Sequence, residues 1–67
     1  MKKYRFNLKP GDVEAMWEFA KHNQVNFHYC LKTEGITSIA YYTYEGFMDA
    51  ETYLTFRITV PSYEYKA

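Results

Sequence analysis

One cysteine, two prolines and three glycines are all that 67 residues hold of these types. The lone thiol, Cys30, cannot close a disulfide within the chain, so sulfur does not staple this fold, and a reducing compartment suits it. Gly11, Gly35 and Gly46 are isolated, with no phosphate-cradling pattern between them. Net charge is missing as well: eight Lys and Arg balance eight Asp and Glu. That balance argues against an acidic DNA mimic and against affinity driven by bulk positive charge. It also favours self-association. No apolar run approaches the length of a bilayer span, and Tyr4-Arg5-Phe6-Asn7 stands where a signal peptide after Lys2-Lys3 needs an apolar stretch. The expectation is a cytoplasmic chain with no membrane partner.

Catalytic patterns are equally sparse. His28 and Cys30 are two apart in a strand-like run, and His22 sits at a helix end. Structural zinc wants four ligands and paired spacings, so no metal site is expected. A His28–Cys30 nucleophile pair lacks an orienting third group and an oxyanion hole. The carboxylates show no recognisable pairing. The chain reads as non-enzymatic, with no cofactor.

What the sequence has is aromatics: eight Tyr, five Phe and one Trp. Each buries a large area for few rotatable bonds, which lets a short chain sustain a core. Tyr4, Phe6 and Leu8 alternate with Lys3, Arg5 and Asn7, a first strand with one buried face. Lys9-Pro10-Gly11 stops it. Asp12 then reads as an N-cap, and Val13, Met16, Trp17 and Ala20 form one helical stripe opposite Glu14 and Glu18. Lys21 and His22 suit the last turn, and Asn23 the left-handed cap. A second strand alternates Val25, Phe27, Tyr29 and Leu31 against Asn26, His28, Cys30 and Lys32. Thr33-Glu34-Gly35 turns it into a third, Ile36 to Tyr44, whose Ile39 and Tyr41 oppose Ile36, Ala40 and Tyr42. A strand apolar on both faces is central or covered by a partner. Glu45 to Glu51 reads as an exposed connection. Leu54, Phe56, Ile58 and Val60 alternate with Tyr53, Thr55, Arg57 and Thr59, a fourth strand ended by Pro61.

The order is β-α-β-β-β, which predicts an α+β two-layer sandwich, one helix on a four-stranded, mostly antiparallel sheet. A short helix from Met48 to Tyr53, giving a truncated ferredoxin-like order, is the alternative. Residues 1–61 form a single domain and residues 62–67 a tail carrying Tyr63 and Tyr65.

Two binding surfaces follow from these phases. Too many tyrosines cluster for all to be interior, and Tyr is favoured in recognition surfaces. Tyr41, Tyr42, Tyr44 and Tyr53, with the loop pair Phe47-Met48, are the candidate partner-binding residues. The open sheet face should show Lys3, Arg5, His28, Lys32 and Arg57 and no acid. Arg5, His28, Lys32 and Arg57 with nearby Tyr could hold single-stranded RNA or DNA. The favoured expectation is a small protein-binding module, a regulator or inhibitor that occupies a partner protein's surface, in the style of small phage or mobile-element proteins. Single-stranded nucleic-acid binding is the alternative. The doubly apolar third strand, short chain and zero net charge also predict a homodimer.

Overall fold

The computed structural model describes residues 1–34 and 40–64. Strand β1 spans Lys2–Leu8, a 3-10 turn Pro10–Asp12, helix α1 Val13–Asn23, β2 Phe27–Glu34, β3 Ala40–Met48, helix α2 Ala50–Thr59 and β4 Tyr63–Glu64. The α+β class stands. The sheet order is β2-β3-β1-β4 with every neighbouring pair antiparallel. Three strands are long, and β4 is a two-residue rung on β1. This is the connectivity of split β-α-β, ferredoxin-like arrangements. It carries no functional information by itself. The expected turn glycine Gly35, Ile36 and Ile39 of the third strand, and Tyr65 of the tail lie outside the described residues.

The largest correction to the sequence expectation is the fourth strand. Residues 52–59 are helical, in α2. The run alternates Leu54, Phe56, Ile58 and Val60, but Tyr53, Phe56 and Val60 also fall at i, i+3 and i+7, and those three are the buried ones. Short apolar runs fit both periods. The local cue is Asp49, whose carboxylate accepts from the Thr52 backbone N–H at 2.7 Å and caps the helix. Thr55 Oγ1 donates to the Glu51 carbonyl at 3.1 Å, so a residue of strand propensity has its hydroxyl satisfied within the helix. The connection expected from Glu45 onward is also different. Glu45–Met48 continue β3, pairing with Lys2–Arg5.

Helix α1 forms where the stripe places it, with two changes at its ends. The Asp12 side chain makes no capping bond; the 3-10 turn leads straight into the helix, with the Asp12 N–H donating to the Lys9 carbonyl at 2.9 Å. The left-handed cap is Gln24 (φ 54°), one residue beyond Asn23. The Asn23 amide instead donates to the Phe19 carbonyl at 3.0 Å.

Both helices contribute to one core under the sheet. Phe6, Leu8, Met16, Met48, Phe56 and Val60 are fully enclosed. Phe56 is the hub, its ring 4.6 Å from Phe6, 5.2 Å from Phe19 and 5.4 Å from Phe27. Tyr53 stacks on Tyr4 at 3.7 Å. Gly46 lets β3 pass beneath Phe27: a Cβ there would stand 2.6 Å from Phe27 Cδ1.

The second strand does not keep its phase. A register shift between Tyr29 and Leu31 leaves Cys30 as a bulge. One extra residue exchanges the two faces for everything beyond it. Leu31 therefore pairs with Thr43 and Lys32 with Tyr42. Leu31, expected in the core, lies on the open face, and Lys32, expected outside, lies on the helix side. Residues 63–64, expected in the tail, run along Asn7 and Phe6 as β4.

Candidate functional site

The outer half of the β2–β3 hairpin runs past the helices. From Tyr29 to Glu34 every residue of β2 except half-buried Cys30 is exposed. On its helix side four aromatic rings collect, from three elements. Trp17 on α1 stands edge-on to Tyr44 at 5.8 Å and to Phe27 at 6.4 Å. Tyr29 stands edge-on to Tyr44 at 5.6 Å and tilts against Tyr42 at 6.3 Å. Tyr44 is buried at their centre, while Trp17 is 45% and Tyr29 56% exposed. Burial pushes the Tyr44 phenol above its usual range, with Tyr29 and Tyr42 adding to the shift. Lys32 closes the outer end, its ammonium 5.8 Å from the Tyr42 ring centroid and 3.1 Å from the Glu34 carboxylate.

The cluster exists because the helix layer is narrower than the hairpin. Trp17 belongs to the α1 stripe that was expected to be buried whole, but it sits at the edge where sheet extends beyond helix. Tyr29 was expected in the core for the same reason. A signal for both was available: the two largest amphipathic residues of their elements, in a chain too short to enclose fourteen aromatics.

The six candidate partner-binding residues do not form one surface. Tyr44, Met48 and Tyr53 are core residues. Tyr42 is half-buried in the aromatic cluster. Tyr41 and Phe47 belong to the opposite, open face of the sheet, where Tyr41 meets Tyr63 edge-on at 6.3 Å. Phe47 and Met48 part company because they are neighbours on a strand: Phe47 is 53% exposed and Met48 is enclosed.

The open face is not the acid-free basic surface the phases implied. Glu45 sits in its middle, opposite Arg5 in the register, and its carboxylate lies 3.1 Å from the Arg5 guanidinium and 3.8 Å from the Lys3 ammonium. The Arg5 hydrogen bond holds the Glu45 carboxyl below its usual range. Beside it, Thr43 donates to the Asn7 side-chain oxygen at 2.6 Å. Of the four candidate nucleic-acid residues, Arg5 and His28 share this face. Lys32 has been carried to the other side by the bulge, and Arg57 is on α2, over the Tyr53 ring at 5.8 Å. The four do not share a face.

Cys30 sits half-buried at the bulge. Burial and the neighbouring Glu45 raise its thiol pKa, which suppresses the thiolate. No group of three His, Cys, Asp or Glu among the described residues is placed to hold a metal ion. No helix among them is long and apolar enough to cross a membrane.

No protein-family model matches the chain, and neither a curated protein nor a solved structure shows significant similarity to it.

Proposed function

We propose that this chain is a non-enzymatic protein-recognition module, and that it acts by occupying a partner protein's surface with the aromatic cluster on the β2–β3 hairpin. One observation carries the reading: Trp17 and Tyr29 stay half exposed while both rings are held edge-on against buried Tyr44. Rigid, amphipathic rings of this kind offer contact area that costs little conformational entropy on binding. Trp and Tyr dominate the energetics of interfaces when they are packed in this way. The hairpin edge adds to it. Strand β2 is at one edge of the sheet, so its backbone can also meet an incoming chain, although the Cys30 bulge and the Lys32–Glu34 pair restrict that approach. A regulator or inhibitor is the role such a surface supports.

The test is affinity capture with the wild-type chain, a Tyr29→Ala variant and an Arg5→Ala variant. A protein retained by the wild type and by Arg5→Ala, but lost with Tyr29→Ala, supports the reading. Capture of single-stranded nucleic acid that depends on Arg5 and weakens steeply with salt would replace it.

A further inference from the structure

Trp17 and Tyr29 each stand on Tyr44, at 5.8 Å and 5.6 Å, and among the described residues they make no ring contact with each other. Tyr44 therefore floors a slot between two exposed rings. Among the described residues, no protein group exchanges a hydrogen bond with the Trp17 indole N–H or with the hydroxyls of Tyr29, Tyr42 and Tyr44. Tyr44 is a buried residue, yet no buried side-chain oxygen among them lacks a partner, so its hydroxyl reaches the surface. Four polar groups are thus gathered at the slot with nothing from the chain to bind. The surrounding charge favours neither a cation nor an anion. Glu14 and Lys21 lie three residues before and four after Trp17, on its side of α1. At the outer end Lys32 pairs with Glu34. Acid and base balance on both flanks, so the slot suits an uncharged occupant.

We infer that the slot seats a proline-rich segment of the partner in the polyproline II conformation, an assignment that rests on the recognition role proposed above. Proline rings dock in aromatic-lined grooves, and the preformed polyproline II chain loses little entropy on binding. Such a chain makes no internal hydrogen bonds, so its carbonyls are free, and proline offers acceptors only. The indole N–H and the tyrosine hydroxyls are the donors those carbonyls need. The distances of Trp17 and Tyr29 from Tyr44 cap the gap between them at a size comparable to one polyproline II turn, about 9 Å. Other recurring modes of peptide recognition fit this surface less well. An added strand meets the Cys30 bulge and the Lys32–Glu34 pair on β2. An amphipathic helix satisfies its own carbonyls and leaves the ring donors unpaired. A phosphorylated or acidic motif needs an arginine cluster, and both arginines are elsewhere, Arg5 on the open face and Arg57 on α2.

Trp17 is the chain's one tryptophan, so its emission reports on the slot directly. A synthetic oligoproline peptide is titrated into the full chain, with a glycine–serine peptide of the same length as control. Oligoproline should shift Trp17 emission to shorter wavelength, saturably and below millimolar concentration, and the control should not. Tyr29→Ala should weaken the midpoint by roughly tenfold or more. Tyr44→Phe removes one hydroxyl and keeps the ring; it should weaken the midpoint roughly two- to tenfold with the thermal melt unchanged. Ile58→Ala, exposed on α2, which gives no residue to the cluster, should match the wild type. Absence of a saturable shift, an equal response to the control peptide, or a midpoint indifferent to Tyr29→Ala overturns the inference. So does a shift given by a single-stranded oligonucleotide and not by oligoproline. A captured protein whose retention depends on Tyr29 but is not displaced by oligoproline removes the proline-rich partner and leaves the recognition role standing; capture indifferent to Tyr29 removes the role itself.

Discussion

The interior rings and the hairpin rings are built from the same kind of residue and serve opposite ends. Inside, Phe6, Phe19, Phe27 and Phe56 contact one another with no polar atom among them, and their surroundings are closed by both helices. At the hairpin, Trp17 of α1 with Tyr29, Tyr42 and Tyr44 make longer ring contacts, 5.6–6.3 Å between centroids, and two of the four are half in water. The difference is where the helix layer ends. Phe fills the part of the sheet that α1 and α2 cover. Tyr and Trp, which tolerate water at one end, fill the part that runs beyond them. Loss of an interior ring should therefore be felt in stability, and loss of a hairpin ring in binding.

The largest expected effect is at the hub of the interior. Phe56→Ala removes a fully enclosed ring with three Phe neighbours, and should cost about 3–5 kcal/mol. Denaturant titration checks it, and the chain is expected to lose cooperative unfolding altogether at that cost. Gly46→Ala should cost less, about 1–3 kcal/mol, because the new methyl meets the Phe27 ring and forces it to shift within a packed core. Thermal melts of the two variants should keep this order.

Smaller again is the cap that holds α2 against the interior rings. The Thr52 backbone N–H keeps the Asp49 carboxyl below its ordinary range. A depressed carboxylate pKa gives stability that is present above the unfolded-state value and is lost as pH falls through the folded-state value. Asp49→Asn keeps a side-chain acceptor without the charge. It should flatten that acid-side part of the stability profile while leaving the neutral-pH melt close to wild type. Asp49→Ala should lower the melt at neutral pH too.

The smallest expected effect on stability is on the hairpin. Tyr29→Ala should change unfolding free energy by under about 1 kcal/mol, since more than half of the side chain is already in water. The same variant should weaken partner binding by roughly 2 kcal/mol or more if Tyr29 is an anchor. A Tyr29→Ala chain that unfolds like Phe56→Ala would erase the distinction between the two regions.

Much of the fold was legible in the sequence. In β1, Phe6 and Leu8 alternate cleanly with charged or polar residues, and in α1 Val13, Met16 and Ala20 keep a helical spacing over two turns. Both patterns are long enough to admit one period. The run from Thr52 is not: Phe56 and Val60 are common to its strand-like and helix-like readings, and the β-branched Thr55, Ile58 and Thr59 are exposed on the helix. Asp49, three residues before Thr52, was the available cue. The bulge at Cys30 has no sequence signal, because it arises from how β2 pairs with β3. That single residue moved Leu31 and Lys32 to unexpected faces and took Lys32 from the basic surface, which the helical run had already deprived of Arg57. The candidate site was half legible. Tyr42 and Tyr44 were placed in a recognition surface and do lie in the aromatic cluster. Trp17 and Tyr29 were missed because periodicity tells which side of an element is apolar, and not how far the neighbouring layer extends.

The most direct test of the account places a photoreactive benzophenone side chain at position 29 in one chain and at position 14 in another. Glu14 is exposed on α1 and is no part of the aromatic cluster. Irradiation in the presence of the cell's proteins should link position 29 to one discrete protein, and position 14 should not give that product. Equal labelling from both positions, or a product at position 14 alone, would contradict recognition through the hairpin rings.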